Sequence, residues 1–207
     1  MAIAMHQLCC MGNADYLMLH CAATPEGRDV QPQHIAQMHL GPCDILKGGK
    51  YLGTKYNGRT YHNRAVLPEA IIGGVPIHKL NGRGWQQVGY RELIDIFGKV
   101  HILVDYNDDA WIQDNEITNG AAGWNHKTIH IVYAGGVDQN LKAKDTRTAK
   151  QREAMAALVC RYILHHPNIK VIGHNQVARK DCPSFDVPAW AKSLGLDPKN
   201  IETRKFY

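Results

Sequence analysis

The sequence predicts an α/β protein, a single domain with a mixed central β-sheet flanked by helices and with an inserted β-hairpin region. Three observations predict this fold. Short apolar runs of strand length end on histidine or glycine, an amphipathic stretch with helical spacing separates two of them, and a glycine-rich segment interrupts the series. With 207 residues, of which 44% are hydrophobic and 21% charged, the chain is long enough for one ordinary globular core.

The first half of the chain contains one apolar strand, one helix and one hairpin. The run at 15–19 predicts a buried strand that ends on His20, where small residues follow. Apolar positions at helical spacing after a proline predict a helix over 32–40. Residues 50–66 have Asn57-Gly58 at their centre, which predicts a β-hairpin with a tight primed turn.

The second half alternates strands with helices. Strands are predicted over 90–97 and 99–106, joined at Gly98, and over 128–134, which ends at a glycine pair. Thr148 and Gln151 form a capping box for a helix that Pro167 stops. A final strand over 170–172 and a short helix over 188–194 complete the α/β pattern.

The overall charge favours an anionic partner without identifying it. The formal net charge is +5 and the pI is about 8.9. No basic stripe interleaved with aromatic residues is present, so we expect no nucleic-acid partner. No apolar stretch is long enough to cross a bilayer, so we expect no stable membrane association, and we expect a monomer.

The first fifteen residues lack a basic segment followed by an uninterrupted apolar one, so they do not predict a secretory signal. We therefore expect synthesis in the cytoplasm without export by the usual route. The six cysteines do not have the spacing of a small disulfide framework, which favours reduced thiols.

Residues 173–186 carry the densest chemistry in the chain. His174 follows the strand at 170–172, and Cys182 comes eight positions later with Lys180 close before it. Imidazole and thiolate are ligands that suit zinc, and a catalytic zinc keeps three protein ligands and one open position. His20 is the best candidate for the third ligand, because two parallel strands that each end on histidine bring both rings to one sheet edge.

Five motifs in a fixed order carry a resemblance to a known family. They are Leu19-His20-Cys21-Ala22-Ala23-Thr24, Gly84-Trp85 with Val88-Gly89-Tyr90, Gly123-Trp124-Asn125-His126, Gly135-Gly136, and His174 followed by Lys180-Asp181-Cys182-Pro183-Ser184-Phe185-Asp186. Together they resemble the zinc-dependent N-acetylmuramoyl-L-alanine amidases, a family that includes small phage lysozyme-type amidases and animal peptidoglycan recognition proteins. The resemblance spans roughly residues 15–192.

The resemblance implies a fold, a reaction and a division of the chain. It implies a mixed α/β amidase domain over 15–207, preceded by an extension at 1–14. Compact family members have little that corresponds to 41–84, which we interpret as an insertion, either a structural hairpin or a grip on the wall polymer. The resemblance also implies hydrolysis of the amide between N-acetylmuramic acid and L-alanine, with peptidoglycan or muropeptides as the substrate.

The resemblance also assigns roles to residues. His20, His174 and Cys182 match the zinc ligands, and Tyr90 and Lys180 match the catalytic pair. A fixed charge at Lys180 suits stabilisation of an oxyanion, whereas only the resemblance selects Tyr90. Trp124, Asn125 and His126 are candidates for one wall of a substrate groove, although Trp124 also suits a role in closing the core.

The chain departs from compact phage members at Gly120, where those proteins carry a histidine. Other histidines compete with the proposed ligands: His34, His39, His126 and the pair His165-His166.

Two further functions remain open at this point. One is a cysteine hydrolase with Cys182 as the nucleophile and His174 as its base. The other is a recognition protein that binds peptidoglycan without cutting it, although such members often lack the cysteine ligand. The enzyme would reach the cell wall, or act on wall fragments, after synthesis in the cytoplasm.

Overall fold

The structure is a computed structural model that describes residues 12–107, 109 and 111–207. Most of the predicted N-terminal extension therefore lies outside the described residues. The chain divides into two compact units, one formed by residues 30–89 and the other by the described residues on either side of that segment. The predicted insertion at 41–84 falls within the first of these units, and its boundaries stay a prediction.

The described residues contain fourteen β-strands and three α-helices. The strands are β1 (Gly12–Asn13), β2 (Tyr16–Cys21), β3 (Thr24–Pro25), β4 (Cys43–Lys47), β5 (Lys50–Tyr56), β6 (Arg59–Tyr61), β7 (Ile71–Ile72), β8 (Val75–Pro76), β9 (Glu92–Ile94), β10 (Val100–Ile102), β11 (Trp111–Ile112), β12 (Thr128–Tyr133), β13 (Gly136–Val137) and β14 (Lys170–Gly173). The α-helices are α1 (Pro32–Leu40), α2 (Ala149–His165) and α3 (Val187–Ser193). Among residues 12–107, 109 and 111–207, no helix combines the length and apolar character needed to cross a membrane.

The central sheet has the order β10-β9-β12-β2-β14. Strands β9, β12, β2 and β14 pair in parallel, and β10 pairs antiparallel with β9. The sheet is therefore mixed, which confirms the predicted α/β class with a mixed central sheet. Each of the strands β2 and β12 is buried along nearly its whole length, as expected of interior parallel strands.

Helix α2 packs on one face of this sheet. The side chain of Thr148 accepts a hydrogen bond from the Gln151 backbone at 3.1 Å and the Gln151 side chain accepts one from the Thr148 backbone at 3.0 Å, which confirms the predicted capping box. The apolar side of the helix joins alternate residues of β2 and β12 in one core cluster, which includes Met155, Leu158, Val159, Tyr162, Leu17, Leu19, Ile129 and Ile131. The remaining side chains of β2 and β12 lie on the opposite face of the sheet, because successive side chains of a strand point to alternate faces.

A buried carboxylate lies between the sheet and α2. Glu92 is fully buried and accepts hydrogen bonds from the hydroxyls of Tyr106 and Tyr162, both at 2.9 Å. The guanidinium of Arg161 completes the cluster at 2.7 Å from the same carboxylate. The charge on Glu92 is thus compensated by one cation and two hydroxyl donors, as a buried charge requires.

The strands predicted over 90–97 and 99–106 are shorter in the structure, at Glu92–Ile94 and Val100–Ile102. The side chain of Asp95 accepts hydrogen bonds from the backbone of Phe97 at 2.9 Å and of Lys99 at 3.0 Å. These local bonds stabilise the turn around Gly98, so on that side the strands end earlier than their apolar content suggested.

Residues 30–89 form the second unit. Helix α1 coincides with the predicted 32–40, and β4, β5 and β6 form an antiparallel sheet. Asn57 and Gly58 connect β5 to β6 with φ values of 47° and 72°. Two successive positive φ values are typical of the primed turn that the sequence predicted, and the hairpin region is confirmed.

Candidate metal centre

Two neighbouring parallel strands bring His20 and His174 together. Strand β14 pairs with β2 so that Gly173 lies opposite Leu19. His20 follows Leu19 within β2, and His174 is the first residue after β14. The two imidazole rings lie with their centroids 4.6 Å apart. Both side chains are buried, with exposures of 1% for His20 and 8% for His174. The carboxyl-edge arrangement expected from the sequence is therefore what the sheet provides.

Cys182 reaches the same point from the loop that follows β14. Its Sγ lies 3.6 Å from Nδ1 of His20, and it accepts a hydrogen bond from the backbone N–H of Cys21 at 3.3 Å. The next residues of the loop are anchored to the sheet, since the Tyr133 hydroxyl donates to the carbonyl of Pro183 at 2.8 Å. These contacts hold the sulfur and the residue after it against the sheet.

The three side chains fit a zinc ion. Their ligand atoms, two imidazole nitrogens and one sulfur, all lie within 4.8 Å of one another. Zinc–sulfur and zinc–nitrogen bonds of about 2.3 and 2.0–2.1 Å at a tetrahedral angle imply a sulfur–nitrogen distance of about 3.6 Å. The separation of Cys182 and His20 equals this value. Two nitrogens and one sulfur also leave one tetrahedral position open, which is the pattern of catalytic rather than structural sites.

The electrostatics of the site depend on burial and on Lys180. Burial, with a further contribution from the Lys180 charge, lowers the pKa of His174 to about 4, so its imidazole is neutral and can act as a ligand. A hydrogen bond shared with Cys21, together with burial, raises the pKa of the Cys182 thiol. Coordination by a divalent metal ion would reverse this direction, because a coordinating thiol is deprotonated.

Tyr90 and Lys180 lie near this cluster. The Tyr90 ring is 5.2 Å from the His20 ring, centroid to centroid, and the side chain is half-buried. Lys180 is exposed, and its charge acts on both His174 and Cys182. A phenol and an ammonium therefore accompany the three candidate ligands, as expected, while their catalytic roles stay a prediction.

The loop residues predicted to bind substrate make structural contacts. The Trp124 ring is flanked by Tyr16 at 5.0 Å and Phe206 at 4.9 Å, and Nζ of Lys127 lies 4.4 Å from its centroid. Oδ1 of Asn125 accepts a hydrogen bond from the Ala121 backbone at 2.8 Å, and His126 is exposed. These contacts favour the alternative that Trp124 closes a core, whereas substrate binding by the three residues stays a prediction.

The sequence reasoning missed His130. Its Nδ1 lies 3.0 Å from Nε2 of His20, and its side chain is fully buried. The signal was available in Thr128-Ile129-His130-Ile131, because alternation along a strand places His130 on the face opposite the apolar Ile129 and Ile131. A polar side chain on that face of a buried strand needs a partner, and the partner is a candidate ligand.

Comparison with known proteins identifies the family. The family model described as N-acetylmuramoyl-L-alanine amidase matches residues 11–185, which is most of the chain. The chain belongs to the N-acetylmuramoyl-L-alanine amidase family. The family predicted from the five motifs is therefore confirmed.

Relatives of this amidase family member include phage endolysins. The endolysin of Escherichia phage T7 is 28% identical over 130 residues, covering 62% of this chain and 81% of that protein. The endolysin of Enterobacteria phage K11 is 26% identical over 111 residues, covering 54% of this chain and 68% of that protein. The amidase LysC from Clostridium intestinale has a similar fold, with a TM-score of 0.53 at 18% identity over 90% of this chain and 88% of its own. Drosophila PGRP-LB is similar at a TM-score of 0.52 and 18% identity, covering 88% of this chain and 81% of its own.

Proposed function

We propose that this amidase family member is a zinc-dependent N-acetylmuramoyl-L-alanine amidase that hydrolyses the bond between N-acetylmuramic acid and L-alanine in peptidoglycan. One observation carries the proposal. His20, His174 and Cys182 offer two nitrogens and one sulfur within 4.8 Å of one another, in a chain that belongs to an amidase family. Peptidoglycan or its soluble fragments are the substrate, and the cell wall is the site of action.

The proposed ligands are arranged to hold zinc and to leave one side free. His20 and His174 lie at the carboxyl ends of two paired strands, and Cys182 lies in a loop whose Pro183 carbonyl accepts a hydrogen bond from Tyr133. Zinc in such a site supplies Lewis acidity, which activates water and polarises the scissile carbonyl. The neutral state of His174 and the burial of both rings favour metal binding over protonation.

Lys180 and Tyr90 are the proposed catalytic residues. The Lys180 ammonium donates hydrogen bonds to the oxyanion that develops when the amide carbonyl is attacked. The Tyr90 hydroxyl moves a proton between the attacking water and the leaving amine, which must be protonated to depart. Tyr90 is close enough to serve the site, because its ring lies beside that of His20.

The geometry argues against a cysteine hydrolase. A cysteine nucleophile needs a depressed thiol pKa and a base within hydrogen-bond reach. The pKa of Cys182 is raised instead, and its Sγ contacts Nδ1 of His20 rather than the predicted base His174. A catalytic role is also favoured over recognition alone, because the cysteine ligand, Tyr90 and Lys180 are all present.

Digestion of purified muropeptides tests the proposal by mass spectrometry. We expect release of intact stem peptides that begin with L-alanine, loss of this activity with a chelator, and recovery when zinc is returned. Cys182→Ala should abolish both zinc binding and cleavage, whereas Cys160→Ala, which removes an exposed cysteine, should change neither. Cleavage that survives chelation but not thiol alkylation would support the cysteine hydrolase, and binding without cleavage would support a recognition protein.

A further inference from the structure

His130 occupies a fixed position beside the candidate metal centre. It lies in the middle of β12, and its backbone is held on both sides, by pairing with Met18 of β2 and by a hydrogen bond of 2.8 Å from the backbone of Arg91 to its carbonyl. Val132 lies opposite His20, so the alternation of strand side chains places His130 on the same sheet face as His20. Nδ1 of His130 makes the hydrogen bond to Nε2 of His20, and the buried Nε2 of His130 has no hydrogen-bond partner among the described residues.

Gly120 confines the His130 ring. A Cβ atom built on Gly120 would lie 2.7 Å from Cε1 of His130 and closer still to Nδ1 and Cγ. The φ of Gly120 is outside the left-handed region, so the glycine is needed here for space rather than for conformation. The backbone of the loop therefore lies against the imidazole and limits its rotation. The His130 imidazole therefore fits at this position only because residue 120 has no side chain.

The hydrogen bond between the two rings selects a tautomer. Nδ1 of His20 faces Sγ of Cys182, so this nitrogen is the one placed to bind a metal. A neutral imidazole that binds metal through Nδ1 carries its proton on Nε2. That N–H then donates to Nδ1 of His130, which accepts. The partner of a metal-binding histidine fixes its tautomer and ring orientation, and it raises the basicity of the ligand.

We propose that His130 is a positioning residue that orients His20 for zinc binding. His130 accepts a hydrogen bond from His20, and the missing side chain at Gly120 leaves room for the His130 ring. This inference rests on the proposed function, because it assigns His20 to the metal. The role is usually taken by a carboxylate, a carbonyl or water, and here a second, fully buried histidine takes it. A buried neutral acceptor orients the ligand without adding charge beside the metal.

Zinc affinity measured by competition with a chromophoric chelator tests the inference. His130→Leu removes the acceptor and should weaken zinc binding by about 10- to 100-fold. His130→Asn offers its Oδ1 near the position of Nδ1 and should recover most of the affinity. Gly120→Ala should displace the His130 ring and weaken zinc binding as well, although position 120 is not a proposed ligand. His165→Ala, which removes an exposed imidazole from α2, should bind zinc like the wild type.

A spectroscopic measurement separates positioning from a general structural effect. In the zinc-loaded wild type, nitrogen NMR should show His20 protonated at Nε2, with slow exchange of that proton with solvent. His130→Leu should lose the slow exchange while its fold, checked by circular dichroism, is kept. If His130→Leu does not fold, Gly120→Ala is the variant that should lose the slow exchange, and His130→Asn is the one that should keep it.

Three results would overturn the inference. Wild-type zinc affinity in both His130→Leu and Gly120→Ala would do so while leaving the proposed function intact. Equal losses in the leucine and asparagine variants would show that an acceptor at this position does not restore zinc affinity, so the hydrogen bond is not what supports zinc binding. A wild-type protein that cleaves muropeptides but binds no zinc would overturn both this inference and the metal in the proposed function.

Discussion

Nδ1 of His20 lies 3.6 Å from Sγ of Cys182, although 162 positions separate the two residues in the chain. The contact exists only when β2 lies in the sheet and the loop after β14 is folded against it. An unfolded chain would not preserve it, so a metal ion that binds here binds the folded state preferentially. Metal binding and folding stability should therefore be linked.

The first prediction concerns this linkage. Zinc at about 100 times its dissociation constant should stabilise the protein by about 2.7 kcal/mol, because it binds the native state and not the unfolded one. Thermal unfolding with and without zinc measures the effect. Cys182→Ala should lose the zinc-dependent part, and Cys160→Ala should keep it. An equal zinc effect in both variants would place the metal elsewhere.

The second prediction concerns Lys180. Lys180→Ala should lower kcat by about a hundredfold or more, because the oxyanion loses a charged donor, while KM changes little. Steady-state kinetics on a defined muropeptide measures both. Lys192→Ala removes another exposed lysine, on α3, and should leave both constants unchanged. Lys180 would be a solvated charge without a catalytic role if its alanine variant kept wild-type kcat.

The third prediction concerns Tyr90. Tyr90→Phe keeps the ring beside His20 but removes the hydroxyl, so kcat should fall by about 10²- to 10⁴-fold while zinc affinity is retained. Kinetics and chelator competition on the same preparation measure the two effects. A phenylalanine variant that loses zinc along with activity would indicate that the hydroxyl supports the site rather than the chemistry.

The sequence predicted those site residues whose positions depend on local patterns, and it missed the one whose role depends on tertiary contacts. His20 and His174 could be placed together because both follow apolar strand runs, and parallel neighbours end at one edge of the sheet. Cys182 followed from ligand chemistry and the resemblance. Strand alternation singles out His130 as a buried polar residue among the twelve histidines, but its contact with His20 depends on the register of β12 against β2 and on the space above Gly120. Both are tertiary facts that no local pattern encodes.

The fold shows the same division. The helices at 32–40 and after Thr148 were predicted closely because caps and periodicity are local signals. The strands around Gly98 were predicted too long at the ends that meet the turn, because the side chain of Asp95 bonds to the backbone of that turn.

The fourth prediction concerns His39 in the 30–89 unit. Burial, with a contribution from Arg83, lowers the pKa of His39 to about 4 from its usual value near 6.5. The unfolded chain therefore binds a proton that the folded one does not, and stability present above pH 6.5 is lost as pH falls toward 4. The cost is at most about 1.4 kcal/mol per pH unit. Protonation at Nδ1 would also break the hydrogen bond that Gly89 donates to it at 3.1 Å.

His39→Asn isolates this contribution, because its Oδ1 can still accept from Gly89 but does not titrate. Urea unfolding of the metal-free protein at pH 7 and pH 5, followed by tryptophan fluorescence, measures the difference, since the Trp85 ring lies 4.9 Å from that of His39. The free energy of unfolding should fall less steeply with acid in the asparagine variant than in the wild type. If the free energy of unfolding falls equally with acid in both proteins, the folded protein binds a proton at His39 as readily as the unfolded chain does.

The fifth prediction concerns Glu92. Glu92→Ala should lower the free energy of unfolding by about 3 kcal/mol, the lower end of the range for removing one partner of a buried ion pair, because Arg161 is itself 37% exposed and keeps some water contact. The hydroxyls of Tyr106 and Tyr162 would lose their acceptor as well. Glu153→Ala, on the exposed side of α2, should change stability by less than about 0.5 kcal/mol.

Replacing Glu92 and Arg161 together separates the contribution of their ion pair from that of the two tyrosine hydroxyls. The double variant Glu92→Leu/Arg161→Met removes both charges together and should recover the part of the loss that comes from the unpaired Arg161 charge, since a buried ion pair is often no more stabilising than apolar residues of similar volume. Denaturant unfolding of the single and double variants forms a cycle that measures their coupling. If the double variant is as unstable as the sum of the two single changes, the Glu92–Arg161 contact contributes no coupling energy, and the tyrosine hydroxyls account for the stabilisation.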